Sequence, residues 1–209
     1  YKRQAVVNAI VKPFTDFMKR SQWPLILLFI FLYRMSDAYV APMAYPFFDD
    51  IGFSKVQIAS IIKIYGVIAT IIGTLLGGVM VNRLRLVKSL VICGFLQGLS
   101  NLVYIGQVYA GNNTEVLMVN IFIENISGGM GTAAFVAYLS ALCNKKYTAT
   151  QYALLSSFMG AARDIFAATS GLVAAAVSWQ WFFGITTLMA VPGMLILWYL
   201  IRVKAIKNY

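Results

Sequence analysis

The sequence contains no histidine, and its 209 residues include only two cysteines and seven acidic side chains. Without histidine there is no imidazole to ligate a metal or to act as base to a serine or cysteine nucleophile. Cys93 and Cys143 cannot by themselves build a disulfide framework or a thiolate cluster. Both adjoin apolar runs, where a free cysteine behaves as a small hydrophobe. No cofactor and no metal is expected. An intramembrane enzyme would need a nucleophile with a base or a metal, so that class is the least favoured.

Charge of either sign is scarce. Charged residues make up 11% of the chain and hydrophobic ones 60%, with a mean hydropathy of +0.76. A soluble domain carries about 25% charged residues. A chain of this size must still cover its surface, and lipid is the surface that accepts such a composition. The net charge of +10 would suggest nucleic acid in a soluble protein. In a membrane chain it marks cytoplasmic loops instead, so no nucleic-acid partner is expected and membrane lipid is. The first residue is Tyr1 rather than Met, which predicts a fragment or a processed product. No signal-peptide pattern opens the chain.

A membrane-crossing helix needs about 20 mostly apolar residues. Six stretches qualify: 24–46, 56–81, 87–109, 115–142, 151–176 and 179–201. Pro42 and Pro46 are expected to end the first, and Gly111, Asn112 and Asn113 the third. Ser54-Lys55-Val56-Gln57 and Thr148-Ala149-Thr150-Gln151 read as capping boxes opening the second and fifth. Residues 1–23 interleave Val6, Val7, Ile10, Val11, Phe14, Phe17 and Met18 with basic side chains, the pattern of an interfacial amphipathic segment. The expected organisation is a cytoplasmic amphipathic linker (1–23), a six-span domain (24–201) and a cytoplasmic tail (202–209).

The loop charges orient the spans. Lys2, Arg3, Lys12, Lys19, Arg20, Arg83, Arg85, Lys88, Lys145, Lys146, Arg202, Lys204 and Lys207 all fall on one side, 13 of the 17 basic residues. The other side holds Lys55 beside Asp49, Asp50 and Glu115. The basic side marks the cytoplasm, so both termini are expected there.

Six charges remain within spans: Arg34, Lys63, Arg163, Asp37, Glu124 and Asp164. Each costs about 2.5–3.5 kcal/mol at the bilayer centre on insertion scales, so they must face one another or water. Spans 3 and 6 hold none and are expected to face lipid. Arg34 and Asp37 share a helix face and can pair, whereas adjacent Arg163 and Asp164 are expected to diverge. Ser127-Gly128-Gly129-Met130-Gly131 is expected to bend its helix or admit a close neighbour. Gly73-xxx-Gly77 and Gly94-xxx-Gly98 match the close-packing motif of membrane helices. The alternative is that the charges are mutual ion pairs that fix packing.

Each triplet of spans holds charge in its first two helices and none in its third, and both middle helices open on an expected capping box. That is the pattern of a 3+3 inverted repeat. Gly78-Val-Met-Val-Asn82-Arg83-Leu84-Arg85-Leu86-Val87-Lys88 resembles the cytoplasmic Gly-x-x-x-Asp-Arg-x-Gly-Arg-Lys signature of major facilitator transporters. Asn82 stands in place of Asp, and Arg85-Leu86 in place of Gly-Arg. Leu32-Tyr33-Arg34-Met35-Ser36-Asp37-Ala38 resembles the opening of the seventh span in AmpG-type muropeptide permeases. The strings from Glu124 to Ala137, from Leu142 to Lys145 and from Ala149 to Ser156 are similar to that family's tenth span and the segment after it.

The resemblance covers about residue 25 to the end and implies an all-α, polytopic membrane protein. It would be six transmembrane helices forming the C-terminal half of a major facilitator fold. It further implies a proton-driven symporter of the inner membrane that imports anhydromuropeptides. The implied partners are an N-terminal six-span half and a small glycopeptide substrate. Beside it, the residues themselves suggest Arg34, Lys63 and Arg163, with Asn125, for binding anionic groups. Glu124, Asp37 and Asp164 are the acids available to carry a proton, and the resemblance to the facilitator signature implies a conformational-switch loop of Gly78, Asn82, Arg83, Arg85 and Lys88. A split or decayed membrane subunit with a structural role and no transport of its own is the alternative.

Overall fold

The computed structural model describes residues 11–203 and residue 205. Lys2, Arg3, Val6, Val7 and Ile10 of the amphipathic segment, and Lys204 and Lys207 of the tail, lie outside the described residues. All regular structure among the described residues is helical: α1 (Lys12–Met18), α2 (Trp23–Leu32), α3 (Met35–Asp50), α4 (Lys55–Ile61), a π turn (Ile62–Gly66), α5 (Val67–Leu84), α6 (Leu86–Ala110), α7 (Thr114–Leu142), α8 (Thr148–Ala176), α9 (Trp179–Leu188) and α10 (Ala190–Arg202). Among the described residues, four stretches are long and apolar enough to cross a membrane: Trp23–Asp50, Lys55–Leu84, Leu86–Ala110 and Trp179–Arg202. Helices α7 and α8 are each 29 residues long, but Gly, Ser, Thr and charged residues dilute their apolar content.

Helix ends follow local chemistry at some junctions and not at others. Ser54 caps α4 as a full capping box: its hydroxyl accepts from Gln57 N–H, and its own N–H donates to Gln57 Oε1 at 3.0 Å. At the turn after α6, Gly111 takes φ 59° and Asn113 Oδ1 accepts from the backbone N–H groups of Glu115 and Val116. The second expected capping box does not form. Tyr147 is the N-cap of α8 and Thr148 is already helical. Gln151 turns away to accept from Asn144 N–H at 2.7 Å and to donate to Pro13 O at 2.9 Å. A tertiary partner outcompetes the local cap.

The prolines also behave differently from expectation. Pro42 and Pro46 lie inside α3 rather than ending it, and the break falls at Tyr33–Arg34, where Arg34 has φ −107° and ψ 16°. A second break, at Met189, has a plain cause in Pro192, which cannot donate to the carbonyl of Leu188 and crowds it.

Small residues set the helix crossings. Gly73 and Gly77 on α5 pack against the backbone of Ile126 and Met130 on α7, and Gly129 on α7 packs against Thr70 O on α5. Helix α7 accordingly stays continuous through its glycine run and admits a neighbour. Gly94 and Gly98 receive Met194 and Ala190 of α10. Helix α6, expected to face lipid, exposes an apolar side through Phe95, Leu99 and Leu102. Its other side is buried and polar: Asn101 Nδ2 donates to Ser36 Oγ at 2.6 Å, and Ser36 Oγ donates to Thr186 O at 2.7 Å. Absence of charge did not mean absence of a polar interior face.

Two apolar clusters occupy opposite ends of the bundle. One gathers Phe17, Phe29, Tyr33, Leu90, Phe135, Tyr138 and Leu197, with Tyr33 stacked on Phe135 at 5.0 Å. The other gathers Phe47, Phe48, Tyr104, Leu117, Phe182 and Phe183, with Tyr104 stacked on Phe183 at 4.6 Å. The break at Arg34 and the middle of α7 fall between them.

Candidate functional site

Arg34 begins the site because the helix breaks at it. Interruption of the ladder turns its side chain toward α7, where Nη1 donates to Thr132 Oγ1 at 2.8 Å while Nη2 pairs with Asp37, one turn on in α3. Thr132 in turn donates to Gly128 O at 2.7 Å. Glu124, Gly128 and Thr132 recur every fourth residue, so they share one face of α7. Further along that face, Asn125 Nδ2 donates to Glu124 Oε2 at 3.1 Å and to Ile121 O at 2.7 Å. Thr70 Oγ1 of α5 reaches Asn125 Oδ1 at 3.0 Å.

Two cavities flank this chain of polar groups. The smaller, about 220 Å³, is lined by Arg34, Asp37, Thr70, Thr74, Glu124, Asn125, Gly128, Gly129 and Thr132. The larger, about 410 Å³, shares Arg34, Asp37 and Thr132 and adds Arg163, Asp164 and an aromatic wall of Phe31, Phe135 and Phe166. Arg34, Asp37 and Thr132 are therefore a partition with a cavity on either side.

The expected site residues are distributed unequally. Arg34, Asp37, Glu124 and Asn125 come together, and Arg163 and Asp164 join them across the larger cavity. Lys63 does not: the π turn leaves it exposed, lining neither cavity. Arg163 and Asp164 do not diverge as their adjacency predicts. Arg163 Nε approaches Asp164 Oδ1 to 4.0 Å, because two exposed side chains on flexible stems can curl toward each other. Thr70, Thr74 and Thr132 were not singled out from the sequence. The spacing of four between Thr70 and Thr74 within a polar-poor span was the available signal for those two.

Asn82, Arg83, Arg85 and Lys88, expected to form a conformational-switch loop, are exposed at the α5–α6 turn, and Gly78 faces open space. Arg85 alone joins the two helices, with φ 68° and ψ 157°. Side chains rarely occupy that region, and it is where the family signature carries glycine. Arg85→Gly is expected to stabilise the chain by about 1 kcal/mol, strain relief of about 1–3 kcal/mol being offset by the greater freedom of unfolded glycine. Thermal unfolding in detergent micelles checks this. A lower unfolding temperature would mean that the arginine side chain itself holds the turn.

Charged groups gathered between long apolar helices, with cavities on both sides of them, define a polytopic membrane protein of the transporter class. The chain belongs to the Major Facilitator Superfamily, whose family profile matches residues 26–208. It is 38% identical over 194 residues to the AmpG 4 protein of Rickettsia conorii, covering 93% of this chain and 47% of that protein. It is 40% identical over 173 residues to the AmpG 1 protein of Rickettsia prowazekii, covering 83% and 39%. With the anhydromuropeptide permease of Escherichia coli K12 it shares 38% identity over 191 residues, covering 91% and 39%. The chain thus spans less than half the length of these relatives.

Proposed function

We propose that this chain is the C-terminal, six-span half of a proton-coupled permease that imports anhydromuropeptides across a bacterial inner membrane. The observation that carries the reading is the partition of Arg34, Asp37 and Thr132, common to an aromatic-walled cavity and to one holding Glu124. The substrate class is that named for the Escherichia coli relative. The matched relatives are more than twice as long as the segment they share with this chain, which supports an N-terminal half as partner.

The six spans are α2–α3, α4–α5, α6, α7, α8 and α9–α10. At about 1.5 Å per residue, α7 and α8 reach about 43 Å, beyond the roughly 30 Å hydrocarbon core. The 3+3 repeat rests on the charges carried by the first two helices of each triplet, since the second capping box is absent. Both termini are assigned to the cytoplasm from the loop charges.

In this reading Arg34 presents a planar fork to a substrate carboxylate, and Arg163 supplies a second cation across the cavity. Phe31 offers an apolar surface to the sugar rings, backed by the buried Phe135 and Phe166. Lys63 contributes from outside this pair of cavities. Glu124 takes and releases the coupled proton. Asp37 exchanges its Arg34 partner as substrate arrives, and Asp164 does the same for Arg163. Gly78, Asn82, Arg83, Arg85 and Lys88 form the turn about which α5 and α6 reorient as access alternates.

Uptake of a labelled anhydromuropeptide by vesicles tests the whole reading. The full-length transporter is expected to accumulate it under an inward proton gradient, and the 209-residue chain alone is not. No uptake by the full-length protein would reject the substrate. Glu124→Gln keeps shape and hydrogen bonding but cannot titrate, so accumulation should collapse to equilibration while substrate exchange persists. If Glu124→Gln accumulates substrate like the parent, Glu124 is a packing residue.

A further inference from the structure

The polar site leaves α1 unexplained, and that short helix has three distinct sides. With 3.6 residues per turn, Pro13, Asp16 and Phe17 fall on one side, Val11, Phe14 and Met18 on a second, and Lys12, Thr15 and Lys19 on a third. The first side is pinned to the bundle. Phe17 is buried in the core, and Asp16 accepts from Asn144 Nδ2 at 3.1 Å and from Gln151 Nε2 at 3.0 Å. The one acidic side chain of α1 is thereby turned inward, and Lys12 and Lys19 remain its exposed charges.

The second side is apolar yet exposed: Val11 46%, Phe14 49% and Met18 38%. Beside it runs a groove of about 230 Å³ between α1, α2 and α8, lined chiefly by Phe14, Met18, Trp23, Leu27, Leu154 and Phe158. Leu154 and Phe158 continue the outer apolar face of α8. An apolar side flanked by lysines is the arrangement of a helix lying in the membrane interface, its hydrophobes among acyl chains and its cations at headgroup level.

We propose that this corner binds an anionic phospholipid, one acyl chain lying in the groove and the phosphate held by Lys12 and Lys19. The proposal rests on the membrane reading of the chain and not on transport or its substrate. Because Asp16 ties α1 to the turn between α7 and α8, the bound lipid braces the cytoplasmic ends of the two helices that carry Glu124 and Arg163.

Native mass spectrometry of the chain in mild detergent tests this, with phosphatidylglycerol and phosphatidylcholine of identical acyl chains. The unchanged chain should retain phosphatidylglycerol on the order of fivefold better, from the attraction of two lysines for an anionic headgroup. Lys12→Gln/Lys19→Gln should lower that retention to the phosphatidylcholine level. Leu154→Trp, which fills the groove, should lower retention of both lipids, with helix content by circular dichroism confirming that each variant is folded. Equal retention of the two lipids by the unchanged chain overturns the proposal without any variant. So does parent-like retention in either folded variant. A lipid-free dimer abolished by Leu154→Trp would assign the groove to a second copy and overturn it too.

Discussion

Removing one member of the Arg34–Asp37 pair is expected to destabilise the protein more than removing both. Each side chain is only 20% exposed, so Arg34→Ala strands the Asp37 carboxylate between apolar helices, and Asp37→Ala leaves Arg34 with Thr132 alone. Breaking a buried pair costs about 3–5 kcal/mol in soluble proteins, whereas replacing both partners by apolar groups is often neutral. The two cavities give the stranded group some access to water, so about 2–3 kcal/mol is expected for each single variant. Arg34→Ala/Asp37→Ala should recover about half of that loss. Unfolding of the four proteins in detergent closes the double-mutant cycle. Single losses that add to the double within about 0.5 kcal/mol would show that the two charges act independently.

Bulk at the α5–α7 crossing is expected to be still more damaging. A Cβ at Gly77 would sit 2.7 Å from Met130 O, and one at Gly129 would sit 2.7 Å from Thr70 O. Both obstacles are backbone carbonyls, which no rotamer change can move. Overpacking of side chain on side chain costs about 1–3 kcal/mol. Here whole helices must separate, so Gly77→Leu and Gly129→Leu should lose at least about 3 kcal/mol or fail to yield folded protein. Gly78→Ala is the control: nothing lies within 4 Å of its Cβ, and alanine favours helix by about 1 kcal/mol over glycine. Normal unfolding of Gly129→Leu would show that α5 and α7 do not meet there. Thr70, Thr74, Glu124 and Asn125 line one cavity from these two helices, so the crossing also fixes the geometry of the site.

Composition and local pattern alone determined that the chain is a helical membrane protein and which charges must be accounted for. The apolar runs, the glycine spacing at 73 and 77, and the i,i+3 relation of Arg34 to Asp37 are all local, and local patterns can be read along one helix. Only the tertiary structure decided what those residues meet. Thr132 is 98 positions from Arg34, and nothing in either neighbourhood names the other. The rotation of a helix about its own axis, set by close glycine crossings, selected Asn125 and Thr70 for the small cavity. A π turn, invisible to hydropathy averages, left Lys63 outside. Gln151 gave up its cap because Pro13, Asp16 and Asn144 arrive together from two other segments. The burial of a polar side on α6 has the same cause: mean hydropathy sums over all faces of a helix, while packing chooses among them.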